Sequence, residues 1–172
     1  MTNMIDPPAA TRSVRVIGIG NPDRGDDGIS ALVTSRLAGR LLSDVCVLTR
    51  SGDLMMIGDD VAAADALICI DASAPMGAPG RIRRIDLTTG KPERDMSFTS
   101  SHAFGLADAI ALAEALGVAS RHIVVYAIEG ASFDAGAAMT EAVAAAAEQV
   151  ADCVIAEAMR LRGGSQEGLS HA

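Results

Sequence analysis

Residues 16–30 read V-I-G-I-G-N-P-D-R-G-D-D-G-I-S and combine the end of a strand, a loop and the start of a helix. The β-branched run ending at Ile19 predicts a buried strand, and the helical spacing of apolar residues predicts a helix over residues 29–42. Gly18 and Gly20 permit a tight turn off the strand, because glycine adopts conformations that other residues avoid. In open α/β sheets such loops, beyond the carboxyl ends of the strands, hold the ligands.

The rest of the chain alternates short apolar runs with helical patterns. Further strands are predicted at residues 45–48, 66–70, 81–87 and 123–128, and further helices at 53–60, 105–116 and 140–161. Alternating charged and apolar residues predict that the run at 81–87 is an edge or antiparallel strand. This order predicts a three-layer α/β/α sandwich with a mostly parallel sheet. The domain is expected at residues 13–162, between a flexible leader (1–12) and a flexible tail (163–172).

Composition narrows the possible functions. The formal net charge is −8 and no cluster of Lys and Arg occurs, so a nucleic-acid partner is not expected. Cys46, Cys69 and Cys153 lie far apart without a C-x-x-C motif, which indicates free thiols in a reducing compartment rather than disulfides or a zinc site. Neither a signal peptide nor an apolar run of membrane-spanning length is present. We therefore expect a cytoplasmic protein without a membrane partner.

The loop after the first strand only partly matches a nucleotide-binding fingerprint. Asp23 stands where the third glycine of G-x-G-x-x-G is required, and Thr49 and Arg50 stand near where an acid normally holds the ribose. Arg50 could bind a 2′-phosphate, so NADP stays a possible ligand. Against this, the carboxylates of Asp26 and Asp27 would repel a pyrophosphate. A Rossmann-like nucleotide-binding protein remains the alternative interpretation.

Three acidic or basic side chains are predicted to meet at one edge of the sheet. Asp26 or Asp27 can cap the helix that follows, which leaves the other available for chemistry. Asp71 ends the apolar run of the third strand, and His102 precedes a helix. Two carboxylates and an imidazole form an open ligand set that suits a divalent first-row metal. Each residue alone has an ordinary structural explanation, as a cap, a turn former or a packed histidine.

The motifs that contain these residues resemble those of a known family. G-I-G-N-P-D-R-G-D-D-G, I-C-I-D-A and S-S-H-A-F-G-L-A-D are similar, in order and spacing, to the nickel–iron hydrogenase maturation endopeptidases. The resemblance covers about residues 14–161. The stretch V-V-Y-A-I-E-G-A-S-F is similar to the subgroup that serves cytoplasmic, NAD-reducing hydrogenases.

The resemblance implies an endopeptidase that removes the C-terminal extension of a hydrogenase large-subunit precursor after nickel insertion. Carried over by motif, Asp27, Asp71 and His102 are the catalytic and metal-contacting residues. The nickel is supplied by the substrate, and no organic cofactor is implied. Asp26 is a candidate for assisting proton transfer. A further acid that follows the second strand in several members has no clear counterpart here, since Asp53 comes a few residues later.

Two other functions stay open at this level. One is a non-catalytic chaperone, which would bind the hydrogenase precursor without cleaving it. A spore-type endopeptidase of related fold is a third, weaker alternative.

Overall fold

Five strands and four helices alternate along the described part of the chain, residues 11–51, 54–88 and 106–164 of the computed structural model. The strands are Val14–Ile19 (β1), Cys46–Arg50 (β2), Ala66–Ser73 (β3), Ile82–Asp86 (β4) and His122–Glu129 (β5). The helices are Ile29–Leu37 (α1), Leu54–Ala62 (α2), Leu106–Ala115 (α3) and Glu141–Gly163 (α4), and a 3₁₀ turn, Gly25–Gly28, precedes α1. This is the predicted order of strands and helices.

The sheet has β3 at its centre, in the strand order β2-β1-β3-β5-β4. β3 pairs in parallel with β1 on one side and with β5 on the other, and all of its residues are buried. Its unbroken apolar run follows from this position, because a central parallel strand is covered by helices on both faces. β4 pairs antiparallel with β5 at one edge, which confirms the prediction made from residues 81–87.

Helices cover both faces of the sheet and complete the predicted three layers. On β3, Ile68 and Ile70 pack toward α1 and α4, whereas Leu67 and Cys69 pack toward α2 and α3. Because side chains alternate between the faces of a strand, Asp71 lies on the same face as Cys69. None of the described helices is both long and apolar enough to cross a lipid bilayer.

Two element boundaries differ from the predicted ones by three or more residues. α1 ends at Leu37 rather than at residue 42, since the chain turns away through Gly39, whose φ of +74° suits glycine best. β3 continues to Ser73 rather than to residue 70, because its ladder with β5 extends beyond Asp71. Asp71 therefore lies inside the strand, near its carboxyl end.

The predicted leader and tail fall mostly outside the described residues, which exclude 1–10 and 165–172. Arg12, which the prediction assigned to the leader, donates its backbone N–H to the carbonyl of Arg162 at 3.2 Å. This bond joins the segment before β1 to the last turn of α4.

A buried carboxylate anchors α4 to the sheet. Glu157 is 6% exposed and accepts hydrogen bonds from the guanidinium of Arg84 on β4, at 2.8 and 3.0 Å, and from the hydroxyl of Tyr126 on β5, at 2.8 Å. Arg160 of the same helix also contacts it. Burial alone would raise the pKa of Glu157, but Arg84, Arg160 and Tyr126 outweigh burial and lower this pKa to about 2.

This cluster predicts a specific pH dependence of stability. Since folding lowers the pKa of Glu157 from 4.5 to about 2, its contribution is complete above 4.5 and is lost as the pH falls toward 2. The shift corresponds to about 3 kcal/mol. Urea titrations should show the stability gap between wild type and Glu157→Gln shrinking from pH 6 to pH 2. Glu148→Gln, an exposed glutamate of the same helix, should show little gap at any pH; a constant Glu157 gap would contradict the assignment.

Candidate active site

Three buried aspartates lie at the carboxyl edge of the sheet. Asp26 and Asp27 occupy the 3₁₀ turn Gly25–Gly28 and are 0% and 2% exposed. This turn contacts β3, whose Asp71 is completely buried. Asp27 and Asp71, two of the three predicted site residues, thus stand on contacting elements at the same edge.

The backbone around Asp27 is tightly fixed. The Asn21 amide donates to Oδ2 of Asp27 at 2.8 Å, and the Ser30 hydroxyl donates to the carbonyl of Ile19 at 2.8 Å. A Cβ on Gly20 would lie 2.2 Å from the Asp27 carbonyl oxygen, closer than any side chain can approach. The glycine that resembled part of a nucleotide fingerprint is therefore required by the close approach of the turn carrying Asp27.

Asp71 sits in the middle of the sheet. In the ladder it is opposite Ile19 of β1 and Ala127 of β5. Burial raises the pKa of the neighbouring Cys69 thiol, and the carboxylates of Asp71 and Asp60 raise this pKa further. Cys69 is therefore a neutral thiol and does not supply a thiolate nucleophile.

His102, the third predicted site residue, lies outside the described residues, as does Asp53. Within residues 11–51, 54–88 and 106–164, no group of three His, Cys, Asp or Glu side chains is arranged to hold a metal ion. Asp27 and Asp71 lie on contacting elements, and the three-residue site that combines them with His102 stays a prediction.

Asp26 holds two distant loops together. Its carboxylate accepts hydrogen bonds from the amides of Ala131 (2.7 Å), Ser132 (3.0 Å) and Thr140 (2.7 Å), and from the Thr140 hydroxyl (2.9 Å). Burial opposes ionisation, but these donors outweigh it and hold the pKa of Asp26 below its ordinary value. A carboxylate engaged by four donors is a structural clamp, which argues against the proton-transfer role predicted for it.

The expectation that one of the paired aspartates caps the first helix is wrong. Gly28 occupies the N-cap position of α1, without a side-chain hydrogen bond. Asp26 instead reaches the loop after β5, and Asp27 accepts the amide of Asn21 within its own loop. The 3₁₀ turn between β1 and α1 separates the aspartates from the helix start, and sequence spacing gave no indication of it.

Glu129 anchors the loop that follows β3. It accepts the amides of Met76 at 2.6 Å and Ala78 at 2.7 Å, and its other oxygen lies 3.2 Å from the guanidinium of Arg81. The amide of Ala78, that of Met76 and the charge of Arg81 hold the pKa of Glu129 below its ordinary value despite its burial. Glu129 therefore has a structural role, because it fixes the loop that follows β3.

Sequence reasoning missed Asp60, a buried carboxylate on α2. It pairs with Arg15 at 2.8 Å and with Arg50 at 2.7 and 3.2 Å. Ile57 and Val61, both fully buried, flank it on the same helix, and a charge within that apolar stripe was the available signal. The Arg50 guanidinium, which the sequence offered as a partner for the 2′-phosphate of NADP, is therefore already paired with Asp60.

A pocket of about 190 Å³ opens beside Asp27. Within the described residues it is lined by Arg24, Asp27, Ala74, Pro75 and Phe133. A larger groove of about 520 Å³ lies between α1 and β2, but none of the described side chains lining it is titratable. The smaller pocket is therefore the one connected with the buried carboxylates.

Comparison with known families gives one match over most of the chain. The family model described as hydrogenase maturation protease matches residues 49–157, a range that includes Asp71 and His102. No curated protein matches the chain significantly.

Solved structures with the same fold carry related descriptions. A hydrogenase maturating endopeptidase, HybD, from E. coli is 24% identical, with a TM-score of 0.69 over 84% of this chain and 90% of that one. A [NiFe] hydrogenase maturation protease, HybD, from Thermococcus kodakarensis is 21% identical, with a TM-score of 0.68 over 84% and 98%. A hydrogenase 2 maturation peptidase from a Thaumarchaeota archaeon is 25% identical, with a TM-score of 0.63 over 86% and 98%.

Proposed function

Because the chain belongs to the hydrogenase maturation protease family and is an endopeptidase, we propose that it removes the C-terminal extension of a nickel–iron hydrogenase large-subunit precursor. The observation that carries this proposal is the burial of Asp27 and Asp71 on contacting elements at the carboxyl edge of the sheet. Two carboxylates held in that position favour a cationic substrate group. The net charge of −8 also favours the approach of such a substrate.

The proposed cationic group is the nickel ion that the precursor carries. Asp27 and Asp71, together with His102, would contact it as oxygen and nitrogen ligands, which suit divalent first-row metals. Burying a carboxylate is costly, and a bound cation beside Asp27 and Asp71 would offset part of that cost. A divalent cation near the scissile bond polarises the carbonyl or activates water for attack.

The other buried carboxylates and the Cys69 thiol are assigned no part in the proposed chemistry. Asp26 and Glu129 hold the surrounding loops, and Asp60 pairs with Arg15 and Arg50. Cys69 is held as a neutral thiol. We therefore assign the chemistry to Asp27, Asp71 and His102, with the substrate's nickel acting as the Lewis acid.

Nickel dependence is the test of this proposal. The purified protein should cleave a nickel-loaded precursor and leave a nickel-free precursor intact, because only the loaded form offers a cation to the carboxylates. Mass spectrometry of the two reactions identifies the released extension. Equal cleavage of both forms would overturn the role of nickel, and absence of cleavage in both would overturn the proposed substrate.

We further propose that the protein acts in the cytoplasm on an NAD-reducing hydrogenase. Two features support this, namely the resemblance of V-V-Y-A-I-E-G-A-S-F to that subgroup and the free, unpaired state of the described cysteines. Offering the protein precursors from different hydrogenase classes in competition would identify the preferred one.

A further inference from the structure

The pocket beside Asp27 is built from three loops that buried carboxylates hold in place. Arg24 and Asp27 belong to the loop after β1, Ala74 and Pro75 to the loop after β3, and Phe133 to the loop after β5. The Asp26 carboxylate ties the first of these loops to the third, and the Glu129 carboxylate fixes the second. The loops that line the pocket are thus fixed by hydrogen bonds to buried carboxylates of the same chain.

The size and lining of the pocket indicate what it holds. Its volume of about 190 Å³ equals that of about six water molecules. This is below the roughly 300–1,000 Å³ typical of pockets for whole small-molecule ligands. Phe133, Pro75 and Ala74 form an apolar wall, while the exposed guanidinium of Arg24 stands beside it. A single apolar side chain fits this description better than a nucleotide or another complete ligand.

We propose that this pocket binds the aliphatic side chain of a residue next to the scissile bond, and that Phe133 sets the size of side chain accepted. The inference rests on the proposed function. Asp27 forms part of the pocket lining, so a substrate side chain inserted there places its own peptide bond beside the carboxylates. One methylene in an apolar pocket commonly changes specificity by about tenfold, which is enough for the pocket to select among side chains.

The ring of Phe133 is held in a defined position. A Cβ on Gly130 would lie 2.5 Å from Cζ of Phe133 and 3.3 Å from Cβ of Asp26, so the ring occupies the space that a side chain at position 130 would need. Of the two aromatic residues in the described part of the chain, Tyr126 is buried with Glu157 and Phe133 is half-buried at the pocket. A fixed ring can act as a size limit, whereas a mobile one would adapt.

Competition between precursors tests this inference. Nickel-loaded precursors that carry Ala, Val, Leu or Phe at either residue flanking the cut are mixed in pairs, so that the amount of folded enzyme cancels from the ratio of kcat/KM values. Wild type should prefer Val or Leu over Phe at one of the two positions. Phe133→Ala should raise the Phe-to-Val ratio at that position by at least about tenfold, since one methylene commonly changes specificity by that factor.

Two further variants make the result independent of the folding of Phe133→Ala. Phe133→Leu should shift the preference in the same direction by a smaller factor. Gly130→Ala should displace the ring, because the added Cβ would lie 2.5 Å from Cζ of Phe133, and should therefore change the ratios. Met139→Ala is the matched control, because Met139 is also half-buried against the same core but does not line the pocket; its ratios should equal those of wild type.

The outcomes separate this inference from the proposed function. If wild type cleaves the loaded precursors but the Phe133 variants leave every ratio unchanged, the pocket does not select the side chain and the inference is overturned, while the function stands. If wild type cleaves none of the loaded precursors, both are overturned.

Discussion

Asp71→Asn is expected to lower kcat/KM for precursor processing by about a thousandfold or more, because the proposed contact of Asp71 with the substrate's nickel would be weakened and a metal ion stabilises the transition state by several kcal/mol. Asparagine keeps the shape of the side chain and one acceptor oxygen but removes the negative charge. Asp71 is fully buried near the carboxyl end of β3, and we expect the fold to stay intact because asparagine has the same size and can still form hydrogen bonds. The measurement is the rate of extension release from nickel-loaded precursor, with circular dichroism as the check on folding.

Asp65→Asn provides the matched control for Asp71→Asn. Asp65 precedes β3 at its other end, where it is exposed and accepts the amide and hydroxyl of Ser13. The same substitution there should change cleavage by no more than about twofold, as is usual for surface positions. An Asp71→Asn protein that processes the precursor at the wild-type rate would remove Asp71 from the chemistry. A non-catalytic chaperone, in contrast, would give no cleavage by purified wild type and only a loss of binding in the variant.

Asp26→Ala is expected to lower the free energy of unfolding by about 2–4 kcal/mol, because several backbone donors lose a charged acceptor at once. Processing should fall as well, since the turn carrying Asp27 loses its tie to the loop after β5. Urea denaturation gives the stability change, with equal m-values confirming that the same transition is compared. Asp23→Ala is the control, because Asp23 lies exposed in the same loop and should contribute less than about 0.5 kcal/mol.

The Asp26 contribution should also depend on pH in a defined sense. Folding lowers the pKa of Asp26 below its ordinary value of 3.8, so its contribution is complete above that pH and is lost as the pH falls through the lower, folded-state pKa. The stability gap between wild type and Asp26→Ala should therefore narrow in acid. If Asp26→Ala unfolds at the same urea concentration as wild type at neutral pH, the carboxylate is not a clamp.

Most of the architecture was predictable because it follows from local patterns. The apolar runs of β1, β3 and β5 and the alternation in β4 are periodicities within a few residues, and each identified its strand correctly. The position of Asp71 near the end of a buried strand followed from the same local pattern, because it directly follows the apolar run of β3. The end of β3 was not predictable, because the ladder with β5 continues past Asp71 into Ser73.

The supporting carboxylates were harder to predict because their partners are remote in sequence. Asp26 binds Ala131 and Thr140, which lie 105 and 114 residues further along the chain. Glu129 binds Met76, 53 residues before it. No local pattern encodes such pairings, so two adjacent aspartates were interpreted as a helix cap and a free carboxylate. In the folded protein Asp26 holds two loops together and Asp27 lies beside the pocket. This difference depends on which loops the arrangement of strands brings close to each aspartate.

The long-range tie made by Asp26 has a consequence for how the protein is made. During synthesis the first loop leaves the ribosome about a hundred residues before Ala131 and Thr140 exist. Closing so large a segment costs entropy that is repaid only when β5 and α4 have docked. We therefore expect the turn that carries Asp27 to become fixed late in folding, and a chain that ends before α4 to lack peptidase activity. We expect peptidase activity to appear only when the fold is complete.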